Sequence, residues 1–128
     1  MRDYQRQKNN KYILPQTVYH QTLWIIRDYD RMCEELSDIL DSSPSPPDGT
    51  PKGQSIGGIC YKAEKREHLL KKVQIIEDEL LAVPEEFRQG VWFNIQRREA
   101  FPLDAGRSTY ARYKSKLIFN VAKRMHLI

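Results

Sequence analysis

The sequence predicts an all-α protein: a long antiparallel helical hairpin followed by a compact C-terminal helix-turn-helix-like unit. Three observations predict it. Apolar residues recur at spacings of three and four through three separate segments. Prolines and glycines gather between those segments, where they punctuate helices. In "PEEFRQGVWFNIQRRE", Glu85 and Glu86 open the segment and Arg97 and Arg98 close it, the arrangement that suits a helix dipole.

The first twelve residues, "MRDYQRQKNNKY", are polar, and residues 1–14 are expected to form a tail. Pro15 and Thr17 then mark a helix start, with proline suited to the first turn and threonine able to cap free amides. Tyr19, Thr22, Ile26, Tyr29, Cys33, Leu36 and Leu40 form a heptad seam. Leu23, Trp24, Ile25, Met32 and Ile39 widen it, so more than one neighbour is expected.

Residues 41–58, which close with "PSPPDGTPKGQSIGG", read as a flexible loop. A second helix is expected from Ile59 to Val83, buried through Leu69, Val73, Ile76, Leu80 and Val83. Its charged face carries Lys65, Glu67, Lys71, Lys72, Glu77, Asp78 and Glu79. These elements divide the chain into the tail 1–14, a hairpin over 15–83 and a C-terminal unit over 84–128. Pro84 starts the third helix, with Phe87, Val91, Ile95 and Trp92 as its apolar stripe. In "AFPLDAGRST", Phe101 and Leu103 read as core anchors, Gly106 as a sharp turn with positive φ, and Ser108 or Thr109 as a cap. The last helix buries Tyr113, Leu117, Val121 and Met125, flanked by Ile118 and Ala122.

The net charge of +4 is mild, but its placement is not. From Ala105 onward stand Arg107, Arg112, Lys114, Lys116, Lys123 and Arg124, with no Asp or Glu. A helix of this kind, docked by its N-terminal half in a major groove, brings cations and hydroxyls to phosphates and base edges. Against this stands the ordinary reading of a cationic face as one merely in water. The order helix, glycine turn, hydroxyl cap and basic helix favours DNA.

"VPEEFRQGVWFNIQRREAFPLDAGRSTYARYKSKLIFNVAKRMHLI" resembles the C-terminal part of prophage-encoded transcriptional regulators of the RinA and ArpU type. More distantly it is similar to the promoter-reading helix-turn-helix of sigma factors. The upstream "IIRDYDRMCEEL", "SPPDGTPKG" and "KAEKREHLLKKVQIIEDELLAVPEE" carry the similarity over residues 18–128. The resemblance implies a sequence-specific regulator of phage or mobile-element genes. It places Ser108, Thr109, Tyr110, Arg112, Tyr113 and Lys116 on a recognition helix, and docking of that helix is expected to be positioned by phosphate contacts from Arg107, Arg112, Lys114 and Lys116. The chain departs from a full sigma-like domain, because the scaffold helix is cut to "FPLDA" and carries Pro102.

The implied partners are double-stranded DNA, RNA polymerase and a second copy of the chain, a dimer being favoured. Trp24 and Ile25 are the residues expected at a dimer contact. Two readings compete. A small-terminase-like packaging protein would form a ring of many subunits, and a protein-interaction module would capture a partner without DNA. No enzyme, metal site or cofactor is expected, since His20, His68 and His126 are scattered and Glu77, Asp78 and Glu79 splay around their helix. Cys33 and Cys60 lack metal-site spacing and are expected as free thiols in a reducing compartment. The N-terminus has no apolar signal segment and no long apolar run follows, so a cytoplasmic location without a membrane is expected.

Overall fold

The computed structural model describes Gln5, residues 10–41 and residues 52–128, the side chains of 40, 41 and 52–62 excepted. Five helices follow one another: α1 (Gln16–Arg27), α2 (Tyr29–Asp41), α3 (Lys52–Ala82), α4 (Glu85–Arg97) and α5 (Arg107–Arg124). Among the described residues there is no strand, and the fold is all-α. Residues 42–51 of the expected loop, most of the expected tail and the Cys60 side chain lie outside the described residues.

The chain divides into two compact units, Met1–Asp28 with Ile75–Ile128, and Tyr29–Gln74. This differs from a division at Pro84. The seam from Tyr19 to Leu40 does not run through one helix, because the helix breaks at Asp28 (φ −83°, ψ 1°), whose amide donates to Trp24 O at 3.0 Å and Ile25 O at 3.2 Å. A one-residue interruption barely disturbs a spacing of three and four, so the periodicity crosses it unmarked. α1 buries Tyr19, Thr22, Leu23 and Ile26, and its packing partners are α4 and α5. The Thr22 hydroxyl donates back to Val18 O at 2.7 Å, which satisfies it inside the core.

α3 begins at Lys52, upstream of the expected Ile59. Residues 52–82 contain no proline, and each of Gly53, Gly57 and Gly58 weakens a helix by only about 1 kcal/mol. The last carbonyls of α3 have no partner within the helix. Arg88 of α4 supplies one: its Nε donates to Leu80 O at 3.1 Å, and its Nη2 to Leu81 O at 3.1 Å and Val83 O at 3.0 Å. A cation at a helix C-terminus also opposes the negative pole of the dipole. Pro84 then caps α4 (φ −53°, ψ 139°), without a side-chain hydrogen bond. Pro15 caps α1 in the same manner, and Thr17 takes no part.

At their C-terminal ends α1 and α4 exchange hydrogen bonds. Arg27 Nε donates to Ile95 O at 2.7 Å, and Gln96 Nε2 donates to Ile26 O at 2.7 Å. The core of the first unit includes Leu23, Ile26, Ile76, Val91, Ile95, Leu117, Ile118, Val121 and Ala122. Of the residues before α1, Leu14 is buried, and its backbone amide and carbonyl are both engaged by the Gln5 side chain. α5 ends in paired bonds from His126 N to Lys123 O and Leu127 N to Ala122 O, with His126 at φ 60°. This closing motif satisfies the final carbonyls, though glycine is the usual residue at its left-handed position.

In the second unit α2 buries Met32, and α3 buries Leu69 and Val73 ahead of the unit's end at Gln74. Lys65 of α3 pairs with Glu35 of α2, which Arg31 also meets at 2.8 Å. The Lys65 hydrogen bond, ahead of the charges of Lys65 and Arg31, holds the Glu35 carboxyl below its ordinary range. Cys33 is a half-buried free thiol.

α4 and α5 approach each other tightly. A Cβ on Gly90 would stand 2.6 Å from Tyr110 Cε1 and 2.8 Å from Pro102 Cδ. Both are ring atoms that cannot rotate away. Gly90→Ala is therefore expected to lower stability by about 1–3 kcal/mol, although alanine favours helices, with a matching fall in the urea midpoint. A stabilised Gly90→Ala protein would mean that the two helices are farther apart.

Candidate nucleic-acid interface

The eight residues expected to touch DNA do not share one surface. Arg107, Ser108, Arg112 and Lys116 are exposed, Thr109, Tyr113 and Lys114 are half-buried, and Tyr110 is 1% exposed. The buried stripe of α5 is Tyr110, Leu117, Ile118, Val121 and Ala122, rotated from the expected stripe through Tyr113 and Met125.

Tyr110 is a core residue. Its ring stacks on Phe101 at 5.3 Å and 13°, meets Phe87 edge-on at 5.3 Å, and rests against the bare Cα of Gly90. Its hydroxyl donates to Asp104 Oδ1 at 2.6 Å. That hydrogen bond, reinforced by burial and by the charges of Asp104 and Glu86, pushes the phenol up to about 12. Tyr113 stacks on the other side of the same cluster, 5.2 Å from Phe87 at 22°, with the Arg112 guanidinium 5.6 Å from its ring centroid.

Lys114 is likewise turned inward. Its ammonium donates to Asn94 Oδ1 at 2.7 Å, while Asn94 Nδ2 donates to Glu99 O at 2.7 Å. The long lysine stem covers apolar surface and its charged head finds an oxygen at the edge, so a cation sits on the core side of α5 at little cost.

The connection between α4 and α5 is not a tight turn. It runs from Arg98, which is left-handed at φ 56°, to Gly106, which is extended at φ −64° and ψ 144°. Gly106 therefore needs no positive φ. Neither Ser108 nor Thr109 caps α5, whose start has no side-chain cap. Within this connection Phe101 and Asp104 attend Tyr110, whereas Leu103, expected as an anchor, is 97% exposed.

What remains outward on α5 is a line of cations. Arg112, Lys116 and Lys123 are exposed, and the helical rise spreads them over roughly 16 Å. Lys116 and Lys123 take no ion-pair partner among the described residues, and α5 itself carries no carboxylate. Arg124 is turned away from this line and meets Asp78 at 3.2 Å and Glu79 at 3.5 Å. Lys123 is not among the eight residues expected to touch DNA, although helical spacing alone already sets it on the side of α5 that carries Arg112 and Lys116.

Compared with protein-family models, curated proteins and solved structures, the chain matches none. The chemistry of the site thus rests on its own geometry. Among the described residues no group of three or more histidine, cysteine or acidic side chains is placed to hold a metal ion. No helix among them is long and apolar enough to cross a membrane.

Because the folded phenol of Tyr110 titrates at about 12 and an unfolded one near 10, the native state keeps a proton that the unfolded chain releases. The Tyr110 contribution to stability is fully present below pH 10 and is lost as the pH rises through 12. Tyrosinate absorbance is expected to show a late-titrating phenol that Tyr110→Phe removes. Titration of every tyrosine by about pH 11 would place Tyr110 in solvent.

Proposed function

We propose that this chain is a DNA-binding regulator of phage or mobile-element genes and that its contact surface is the outward face of α5. The observation that carries the reading is the line Arg112, Lys116 and Lys123, three exposed cations on an acid-free helix. The similarity to prophage regulators supports the same reading. So does the packing of α5 on α1 and α4, because three-helix DNA-binding units present their last helix in this way.

The arrangement favours backbone positioning over insertion of the helix N-terminus. Tyr110 and Lys114 are committed to the interior and Tyr113 to its stack on Phe87, which leaves Arg107, Ser108, Thr109, Arg112 and Lys116 of the expected set, joined by Lys123. Cations spaced along a helix neutralise phosphates and release counterions, and base contacts then add sequence preference.

A second reading, a protein-interaction module, is favoured by Trp24, whose indole is 60% exposed on α1 with the Arg27 guanidinium 5.5 Å from its ring. One experiment separates the two. Fluorescence anisotropy on promoter duplexes over a salt series is expected to give a salt slope that becomes shallower by about two units in Arg112→Ala/Lys116→Ala. Circular dichroism of the variant should match the native protein, since both side chains are outward. An unchanged slope removes α5 from the DNA surface, and no binding to any duplex favours the protein partner.

A further inference from the structure

The segment before α1 does more than precede it. Tyr12 packs its ring 5.5 Å from Phe119 of α5, its amide donates to Asn10 Oδ1 at 2.9 Å, and the Gln5 side chain fixes Leu14 two residues on. These contacts hold residues 10–12 alongside the first turns of α5. Between them opens a cleft of ≈ 370 Å³, lined by Lys11 and Tyr12 on one side and by Ser108, Thr109, Arg112 and Ser115 on the other.

The lining is chemically one-sided. It combines two cations from distant parts of the sequence, three aliphatic hydroxyls, a phenol and the Asn10 amide, and no carboxylate. The volume suits a small ligand rather than a macromolecular surface. Arginine and lysine facing each other across hydroxyl donors match the charge and the several acceptor oxygens of a phosphoryl group. The Tyr12 ring adds an apolar plane against which a base or sugar can lie.

We propose that this cleft is a phosphate-ester site, which takes either a free nucleotide or one phosphate of a bound nucleic-acid strand, with Lys11 and Arg112 as its charged jaws. The second source rests on the DNA-binding reading above; the first does not. The cleft also gives residues 10–12 a role, because a strand held there meets the N-terminal segment and α5 together.

The test is amide chemical-shift mapping of the full chain by NMR, titrated separately with pyrophosphate, adenosine monophosphate and a promoter duplex. Saturable shifts at residues 10–12 and 108–115 are expected, alone with the small phosphates and together with Lys116 and Lys123 with the duplex. Lys11→Gln is expected to weaken the ligand that causes them about tenfold, and Lys71→Gln, exposed on α3 and outside both the cleft and the cation line of α5, less than twofold. Shifts with the small phosphates assign a nucleotide, and shifts with the duplex alone assign a backbone phosphate. Duplex-induced shifts at Lys116 and Lys123 with an undisturbed cleft overturn this site while leaving the DNA reading intact. Small-phosphate shifts in the cleft without duplex binding do the reverse. Equal shifts at all surface cations, or equal loss in both variants, also overturn the site.

Discussion

The seating of Tyr110 is the constraint on which the arrangement of the first unit depends. A glycine on α4 lets the ring approach the helix backbone, Phe87 and Phe101 enclose it, and Asp104 accepts its hydroxyl proton. Aromatic pairs of this kind contribute about 0.5–1.5 kcal/mol each beyond the area they bury. More important here is that a helix is rigid in rotation. Once position 110 is fixed inward, Leu117, Ile118, Val121 and Ala122 follow it into the core, and Arg112, Lys116 and Lys123 are carried outward. The same ring organises the α4–α5 connection, since Phe101 and Asp104 have their partner in it.

The cations of the chain's last segment separate by what they face. Lys114 and Arg124 are matched to oxygen atoms, one to a buried amide of α4 and the other to carboxylates at the end of α3. Arg112 and Lys116 are left to solvent, and Lys11 joins Arg112 across the cleft. A concentration of positive charge in the sequence therefore resolves into structural and outward members, and the outward ones define a surface for anions.

Much of the fold is legible in the sequence because it rests on periodicity. The burial of Val91 and Ile95 on α4 and of Leu69, Val73 and Ile76 on α3, the start of α4 after Pro84 and its acidic first turn all follow from local rules. The break at Asp28 is not legible, since the apolar spacing runs on across it. The rotation of α5 is hidden for a specific reason: the stripe through Tyr110, Leu117 and Val121 contains Lys114, and a lysine argues against burial until Asn94 is known to receive it. Tyr113, an aromatic at helical spacing from Leu117, looks the better core residue in sequence. Gly90 gives no sign of its role there, because a glycine inside a helix acquires meaning only from the ring opposite. Leu103 shows the converse, an apolar residue in a connection that nothing covers.

On this reading α5 presents its outward cations to DNA while keeping Lys114 for the interior. Acylation of lysines in the presence and absence of a promoter duplex, mapped by mass spectrometry, tests that claim most directly. Lys114 should react slowly throughout; Lys116 and Lys123 should react readily in the free protein and become protected on DNA, while Lys71 and Lys72 on α3 stay reactive. Protection of Lys71 and Lys72 with Lys116 and Lys123 unaffected would contradict the account.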